Sequence, residues 1–315
     1  MNAKASLSVS IMPGLKLANP IIGASGTFGY GDEWDGLIDI QHLGAIICKG
    51  TTLRPRQGNP QPRIMEVSAG LLNSVGLQNI GVDALVKEKA PVWMGWKIPV
   101  LVNIAGDTVE EYGEVAKKLD GVKGISGIEV NISCPNVKQG GMQFGTDVVT
   151  AAHVTRTVKK STSLPVMVKL SPNVTDIAEI AHAVEDAGAD AISLINTLSG
   201  MAIDVRARRP KLGNVVGGLS GPAIKPVALW MVYKTAGVVR VPVIGCGGIM
   251  NAEDVLEFIM AGATAIQVGT VSLFDPQSIE KIISGLGSYM AAEGIEHISD
   301  IRGIARQEPS PELHT

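Results

Sequence analysis

Eight short apolar runs, spaced widely enough for a helix between neighbours, constrain the fold of this chain most. They are NPIIGAS, GAIICKG, PVLVNIAG, GIEVNIS, PVMVKLS, DAISLIN, VPVIGCGG and TAIQVGT. Each is read as a continuous apolar run, which is typical of parallel strands that are covered on both faces. The chain has 315 residues, enough for one large core. We therefore predict a single α/β domain over residues 1–315, folded as a (β/α)8 TIM barrel.

Helical patterns separate these runs, most clearly over residues 175–187. Four apolar residues there recur at the i, i+3, i+4, i+7 spacing of one helical face, with Thr175 as the predicted N-cap. Residues 7–17, with Pro13-Gly14 as their turn, predict an N-terminal hairpin that closes the bottom of the barrel. Residues from about Gln307 onward are polar, and we expect them to be frayed.

Composition gives no reason to expect several classes of partner. The net charge of −3 gives no electrostatic reason to expect nucleic acid or an anionic membrane. Neither a membrane-spanning run nor the apolar core of a secretory signal is found in the sequence, so we expect a cytoplasmic protein. The three cysteines are far apart and form no CxxC pair, so this chain's thiols alone cannot build a zinc or iron-sulfur site.

Polar residues and glycines occupy the predicted C-terminal ends of the strands, where barrels place their chemistry. In chain order they are Ser25, Lys49, Asn103, Asn131, Lys169, Asn196 with Thr197, Gly247-Gly248 and Gly269-Thr270. A barrel needs only apolar residues along its strands, so these side chains are interpreted as ligand groups.

Two glycine loops end the seventh and eighth strands, and both precede predicted helices. GCGGI opens a helix near Asn251, and QVGT opens one predicted to follow Ser272. Glycine lets backbone N–H groups approach an anion, and helix N-termini add partial positive charge. We predict a phosphate site here, with GGLSGP around Gly221 as a third backbone contribution. Tight-turn glycines without a ligand are the alternative.

Lys49 and Lys169 end otherwise apolar runs. A buried lysine forms a Schiff base in some barrels and stabilises an anionic cofactor in others. The alternative without a ligand is a lysine at the rim whose stem is buried while its ammonium reaches the solvent. The three asparagines argue against the Schiff base, because carboxamides match a ring with adjacent C=O and N–H groups. A flavin or a pyrimidine would fit.

Cys134, in the sequence NISCPN, is the candidate base or nucleophile. A free thiol has a pKa of about 8.5, so a small thiolate fraction is available for a weak carbon acid held in place. The loop that follows, with Gly140-Gly141, suits a lid, although a solvated connector is the alternative. Cys48 and Cys246 are interpreted as small buried hydrophobes.

The segment over residues 51–81 is too long for a simple strand-to-helix turn, and long loops at a barrel mouth are usually functional. Within it, Asn73-Ser74-Val75-Gly76-Leu77 combines a carboxamide with a glycine that exposes backbone N–H groups, which suits a carboxylate. Arg54, Arg56 and Arg63 in this loop could attract an anion, but arginines in a polar surface loop are more often simply solvated.

These motifs, taken in order, resemble the dihydroorotate dehydrogenase family over nearly the whole chain. The resemblance rests on ASGTFGYG, CKGTT, GNPQPRI, LLNSVGLQN, VNIAG, NISCPN, VKLSPN, INTLSG, GGLSGP, GCGGI and QVGT. Cysteine in NISCPN is similar to family 1, since family 2 has serine there and an N-terminal extension that this sequence lacks. NSVGLQN, VNIAG and INTLSG look more like the NAD-dependent type B than the fumarate-using type A.

The resemblance implies FMN at the barrel mouth and a role for each matching position. FMN would contact Ser25, Lys49, Gly50, Asn103, Asn131, Lys169, Ile195, Gly221, Gly247, Gly248, Gly269 and Thr270. Dihydroorotate or orotate would contact Lys49, Asn73, Ser74, Val75, Gly76, Leu77, Asn131, Asn136, Asn196 and Thr197. Cys134 would remove the C5 proton while hydride leaves C6 for the flavin, and Lys169 would stabilise the reduced, anionic flavin.

The resemblance also implies a partner, an electron-transfer subunit with FAD and a [2Fe-2S] cluster, in a heterotetramer of two catalytic and two electron-transfer chains. Three alternatives stay open: an FMN barrel acting on another dihydropyrimidine, a fumarate-using dihydroorotate dehydrogenase, and a flavin-free barrel that binds a sugar phosphate. The predicted carboxylate cup over residues 73–77 favours orotate over uracil.

Overall fold

The computed structural model describes residues 5–132 and 144–306, and its centre is a closed barrel of eight parallel strands. The strands, in chain order, are β1 (Val9–Met12), β2 (Leu15–Leu17), β3 (Ile21–Gly23), β4 (Ala45–Thr51), β5 (Ile64–Val67), β6 (Gly70–Asn73), β7 (Val100–Ile104), β8 (Gly127–Asn131), β9 (Val166–Lys169), β10 (Ala191–Leu194), β11 (Leu198–Gly200), β12 (Ile203–Asp204), β13 (Arg209–Pro210), β14 (Gly217–Ser220), β15 (Val243–Cys246) and β16 (Ala265–Val268). The α-helices are α1 (Val82–Glu88), α2 (Ala90–Trp93), α3 (Val109–Leu119), α4 (Val148–Ser161), α5 (Ile177–Asp186), α6 (Lys225–Ala236), α7 (Ala252–Met260), α8 (Thr270–Phe274) and α9 (Ser278–Glu293). Short 3-10 helices lie at Asp32–Trp34, Ile40–His42, Phe144–Thr146, Pro222–Ile224, Ile298–Ile301 and Ile304–Arg306.

The barrel confirms all eight strands predicted from the sequence. Around the barrel the order is β3-β4-β7-β8-β9-β10-β15-β16, closed between β16 and β3, so strands follow one another as they do along the chain. The residues of every barrel strand are buried except at the rim of β4 and β15, because the strands are covered by their own interior on one face and by helices on the other. The predicted (β/α)8 class is therefore confirmed.

The predicted N-terminal hairpin is also confirmed. Strands β1 and β2 pair in antiparallel register, and the side chains of Ile11 and Leu17 are buried between the hairpin and the barrel. Met12 Cε lies 3.3 Å from the position that a Cβ on Gly127 would occupy, and Gly127 begins β8. The hairpin therefore packs against the N-terminal end of the barrel, opposite the mouth.

Helices α3, α4, α5 and α7 begin at a short polar side chain that caps the first turn. Thr108 accepts a hydrogen bond from the Glu111 N–H at the start of α3, with acidic residues in its first turn and lysines in its last. The prediction of Thr175 as the N-cap of α5 is wrong by one residue. Asp176 is the cap and accepts from the Ala178 N–H at 2.8 Å. The carboxylate suits the positive helix end better, and it also pairs with Lys234 at 2.8 Å.

The long segment over residues 51–81 contains a strand pair that the sequence did not reveal. Strands β5 and β6 form a hairpin, and β6 pairs with β14 from the connection that follows β10. Together with β11 they form a four-stranded antiparallel sheet. Both connections leave the C-terminal ends of barrel strands, so this sheet joins two of the loops that surround the mouth.

Over residues 5–132 and 144–306, no helix combines the length and the apolar character needed to cross a membrane. The predicted frayed end from Gln307, the candidate base Cys134 and the predicted ligand Asn136 lie outside the described residues.

Candidate active site

Three glycine loops meet at one side of the barrel mouth. Ser220 Oγ lies 3.0 Å from Thr270 Oγ1, and a Cβ on Gly221 would lie 3.5 Å from Thr270 Cγ2. On the other side, a Cβ on Gly248 would lie only 2.5 Å from the backbone nitrogen of Lys225, the first residue of α6. The structure therefore brings together the loops at Gly221, Gly247-Gly248 and Gly269-Thr270, as the prediction of a joint phosphate site requires.

The helices behind these loops differ in how their first turns are capped. Helix α7 has its own capping box, in which Asn251 accepts from the Asp254 N–H and Asp254 accepts from the Asn251 N–H. Asp254 also pairs with Lys225 at 2.6 Å. In contrast, the 3-10 turn after Gly221 and helix α8 have no side-chain cap. An anion at this mouth would therefore meet glycine loops and the uncapped turns, because α7 already satisfies its own first turn.

The QVGT loop leads directly into α8, which begins at Thr270. The prediction of a helix after Ser272 is therefore wrong in its start, because the chain turns helical at once and breaks at Asp275 before α9. Ser25 lies in the turn after β3 and is half-buried. Its neighbour Ala24 is 3.3 Å from the Cβ position of Gly269, which places this turn beside the same loop.

Lys169, the last residue of β9, is only 4 % exposed. Its Nζ donates to Gln267 Oε1 at 2.6 Å and lies 3.9 Å from Cys246 Sγ. Burial acts against the charged form, but Cys246 and Glu129 outweigh it and hold the pKa of Lys169 above its ordinary value. Burial also raises the pKa of the Cys246 thiol, whereas Lys169 beside it acts in the opposite direction.

Glu129 is a polar residue of the barrel interior that sequence reasoning missed. It lies in β8, it is fully buried, and its carboxylate accepts three hydrogen bonds. Asn103 Nδ2 donates to Oε2 at 2.6 Å, whereas Gln267 Nε2 at 2.6 Å and Ser193 Oγ at 2.7 Å donate to Oε1. Buried charge is costly unless it is satisfied in this way. Glu129 thus links the side chains of four barrel strands.

Asn103 lies beside Glu129 in register across β7 and β8. Since its Nδ2 is held by the carboxylate, its Oδ1 faces the other way, 3.0 Å from the position that a Cβ on Gly50 would occupy. Leu77 Cδ2 lies 3.2 Å from the same position. The structure therefore brings together Asn103 and Gly50, predicted to contact FMN, and Leu77, predicted to contact the substrate.

A second group of predicted residues is joined through Asn131, the last residue of β8. Asn196 Nδ2 donates to Asn131 Oδ1 at 3.4 Å, and Asn196 Oδ1 accepts from the Thr197 N–H at 2.8 Å. Thr197 packs against Gly218, whose carbonyl accepts from Asn73 Nδ2 at 3.2 Å. Asn131, Asn196, Thr197 and Asn73 therefore form a continuous row of polar side chains.

Lys49 lies within β4, which continues to Thr51, so the predicted strand end is two residues too early. Burial lowers the pKa of Lys49, Glu33 opposes this effect and Arg63 adds to it. Ile195, directly after β10, is buried, and its Cγ1 is 3.3 Å from the Cβ position of Gly247. Ile195 and Lys49 thus lie at the mouth, although Lys49 remains half-buried.

Arg63 is not simply solvated, contrary to the interpretation from sequence. Its guanidinium donates to Gln78 Oε1 at 2.7 Å and to the Gln57 carbonyl at 2.8 Å. The Ser74 N–H donates to the Arg63 carbonyl at 2.7 Å. Arg63 therefore contacts this segment in two ways: its backbone carbonyl binds Ser74, and its planar guanidinium joins Gln57 to Gln78.

The two described cysteines differ from each other. Cys48 is fully buried, as predicted, and burial raises its pKa to about 12. Cys246 is half-buried and lies beside Lys169, so the prediction of a simple core residue is only partly right for it. The reason is its place at the C-terminal end of β15, where side chains turn from the core to the mouth.

A closed barrel with polar side chains at the C-terminal ends of its strands is the architecture of (β/α)8 barrel enzymes. The chain belongs to the dihydroorotate dehydrogenase family, an oxidoreductase family, whose model it matches over residues 6–290. It is 57 % identical over 297 residues to the dihydroorotate dehydrogenase B (NAD(+)) catalytic subunit of Geobacter sp. strain M21, covering 94 % of this chain and 97 % of that protein. The protein of the same name from Desulforamulus reducens is 58 % identical over 305 residues, 96 % of this chain and 99 % of its own length. That from Geotalea daltonii is 56 % identical over 304 residues, with the same coverage of 96 % and 99 %.

Proposed function

We propose that this chain is the catalytic subunit of a type B dihydroorotate dehydrogenase, which oxidises (S)-dihydroorotate to orotate in pyrimidine synthesis with FMN as the hydride acceptor. The observation that carries the proposal is the meeting of three glycine loops with the Asn103, Asn131 and Lys169 side chains at one barrel mouth. The relatives at 56–58 % identity, all named for this activity, support it.

The described residues suit FMN by the chemistry of their groups. The loops at Gly221, Gly247-Gly248 and Gly269-Thr270, with Ser25 beside them, would hold the phosphate. Asn103 offers a carbonyl oxygen to a ring N–H, and Lys169 offers an ammonium to a ring oxygen or nitrogen. Lys49, Gly50, Asn131 and Ile195 complete the proposed FMN contacts.

The row of polar side chains at Asn131, Asn196, Thr197 and Asn73 would hold the pyrimidine ring, and Asn136 would add a further contact. Lys49 and the backbone of residues 73–77 would bind the substrate carboxylate. Arg63 supports that segment from behind. A carboxylate site favours dihydroorotate over a dihydropyrimidine that has no carboxylate.

Cys134 is the proposed base that takes the proton from C5 of dihydroorotate as hydride leaves C6. When bound, FMN supplies the acceptor for that hydride. Lys169 keeps a positive charge in a buried position, which favours negative charge that develops on a neighbouring ring. Asn131 and Asn196, which are hydrogen-bonded to each other, would hold the substrate ring in one orientation.

Anaerobic titration of the purified chain with dihydroorotate tests the proposal. We expect a yellow protein whose flavin absorbance is bleached by dihydroorotate and not by dihydrouracil. A colourless protein that takes up no added FMN would contradict the flavin site and favour the sugar-phosphate barrel. Bleaching by dihydrouracil alone would favour another dihydropyrimidine.

Cys134→Ala tests the base separately from the binding site. The variant should keep FMN and lose nearly all dihydroorotate-dependent flavin reduction, whereas Cys134→Ser, which keeps a weaker proton acceptor, should retain a slow reaction. Reduction by Cys134→Ala at the rate of the unaltered chain would place the base elsewhere.

The electron acceptor and the assembly are part of the same proposal. We infer a partner subunit with FAD and a [2Fe-2S] cluster, in a cytoplasmic heterotetramer of two chains of each kind, because the relatives are named NAD(+)-dependent catalytic subunits. Reoxidation of the reduced chain by NAD+ only after addition of such a subunit would support this assembly. Rapid reoxidation by fumarate without any partner would indicate type A.

A further inference from the structure

We propose that Glu129 and Gln267 form a positioning pair that fixes which hydrogen-bonding groups Asn103 and Lys169 present to the flavin. The proposal rests on the proposed FMN site and adds two buried residues that are not among the flavin and substrate contacts proposed above. Both are essentially buried, with Glu129 at 0 % and Gln267 at 1 % exposure, and they lie on β8 and β16.

The orientation of the Gln267 amide follows from Lys169. An ammonium only donates, so the Gln267 atom at 2.6 Å from Lys169 Nζ must be the oxygen. The amide nitrogen then faces Glu129 Oε1, also at 2.6 Å. Gln267 thus connects the carboxylate to the ammonium through one amide, with each group in its only compatible role.

The same carboxylate determines the orientation of Asn103. Glu129 Oε2 accepts from Asn103 at 2.6 Å, so the amide nitrogen of Asn103 points into the barrel and its oxygen points toward Gly50 at the mouth. If residue 129 had no acceptor, this contact would no longer decide whether the oxygen or the nitrogen of the Asn103 amide faces the mouth. The Glu129 carboxylate therefore fixes the Asn103 amide oxygen as an acceptor on β7. Through Gln267 it also supports the Lys169 ammonium on β9.

The hydrogen bonds expected in a Glu129→Gln variant explain why a carboxylate is needed at this position. Glu129→Gln keeps the shape of the side chain but introduces an NH2 group among three donors, from Asn103, Ser193 and Gln267. Ser193 can reverse its hydroxyl, but the amides can adapt only by rotating. A rotated Asn103 turns its nitrogen to the mouth, and a rotated Gln267 points its nitrogen at the Lys169 ammonium. Either change alters a group that we assign to FMN.

The first experiment measures FMN binding to folded apo-protein by quenching of FMN fluorescence, together with the absorbance spectrum of the bound flavin. We expect Glu129→Gln to weaken FMN binding about tenfold and to shift the near-ultraviolet flavin band. Ser193→Ala is the matched control, since it removes one bond to the same carboxylate and leaves the bonds from Asn103 and Gln267 to Glu129 in place. It should retain most of the affinity and the unaltered spectrum.

The decisive variant moves the charge from β8 to β16. In the double variant Glu129→Gln with Gln267→Glu, the new carboxylate on β16 accepts from Lys169 and from the new amide on β8. The oxygen of that amide accepts from Asn103, so every hydrogen bond of the network can be made with Asn103 in its original orientation. We expect FMN affinity and spectrum to return to within about threefold of the unaltered chain, a difference of less than about 0.7 kcal/mol.

Outcomes separate this inference from the proposed function. If the unaltered chain binds no FMN, the proposed function fails. If it binds FMN and Glu129→Gln has the same affinity and spectrum, the positioning pair is refuted, as it is when the double variant fails to improve on the single one. Should Glu129→Gln not fold, Gln267→Leu serves instead: it should alter the flavin spectrum, and an unaltered spectrum and affinity would overturn the proposal.

Discussion

Gly248→Ala gives the sharpest test of the glycine loops, because two independent features oppose a side chain there. The residue has φ +77°, in the left-handed region that L residues rarely adopt. A Cβ would also lie 2.5 Å from the Lys225 nitrogen and 2.6 Å from the Lys225 Cα, both of which are backbone atoms. Neither obstacle can be removed by rotation of a flexible side chain.

The expected cost follows from these two features. The left-handed conformation costs about 1–2 kcal/mol for a residue with Cβ. Restoring an ordinary 3.4 Å contact from 2.5 Å requires a relative shift of about 0.9 Å between this loop and the start of α6, and such overpacking costs about 1–3 kcal/mol. We therefore expect a loss of roughly 2–5 kcal/mol in the free energy of unfolding.

The same shift should weaken FMN binding. A hydrogen bond to a charged group contributes about 1.5–3 kcal/mol, so misalignment of one phosphate contact lowers affinity about tenfold or more. FMN at a hundred times its dissociation constant stabilises the protein by about 2.7 kcal/mol, and a tenfold weaker site reduces this to about 1.4 kcal/mol. Thermal unfolding with and without FMN should thus show a smaller FMN-dependent increase in Tm for the variant.

Gly287→Ala is the matched control. Gly287 lies in α9, and a Cβ there would meet no atom within 4 Å. Alanine should stabilise this helix by up to about 1 kcal/mol and leave FMN affinity unchanged. If Gly248→Ala melts at the temperature of the unaltered chain and binds FMN with the same affinity, the argument that this loop is a close-packed phosphate cradle is refuted.

Three further predictions concern the substrate side and the thiols. Arg63→Lys should raise KM for dihydroorotate several-fold while FMN affinity stays constant, because lysine cannot hold both Gln57 and Gln78; an unchanged KM in steady-state assays would contradict the supporting role. Because burial lowers the pKa of Lys49, its ammonium loses the proton at a lower pH than that of an exposed lysine. The KM for dihydroorotate should therefore rise with pH before exposed lysines lose their protons. A KM that stays constant up to about pH 10 would argue against Lys49 as the carboxylate ligand. Cys48, with its pKa raised to about 12, should remain unmodified by iodoacetamide at about pH 8 in the native protein and react after unfolding, as peptide mass spectrometry would show.

The fold was largely predictable because its signals are local. Strands buried on both faces must be apolar along their length, and each of the eight runs carries that signal within a few residues. The sheet formed by β5, β6, β14 and β11 could not be predicted in this way. Its pairing joins residues 145 positions apart, such as Asn73 and Gly218, and neither partner strand is long or apolar enough to be recognised alone.

The site was predictable where a polar residue ends an apolar run and was missed where it interrupts one. Lys169 and Asn131 were found because they stand at strand ends, whereas Glu129 was passed over within GIEVNIS as part of a continuous apolar run. Yet Glu129 and Asn131 are two residues apart on one strand and therefore share a face, so the argument that singled out Asn131 applies to its neighbour. A buried carboxylate is retained in a barrel only with several donors. Asn103 comes from the neighbouring strand β7, but Gln267 comes from β16, on the opposite side of the barrel, and the sequence does not show that its side chain reaches Glu129. The signal in the sequence was thus the presence of a charged residue, Glu129, within an apolar strand. Its hydrogen-bonding role is seen only in the three-dimensional arrangement.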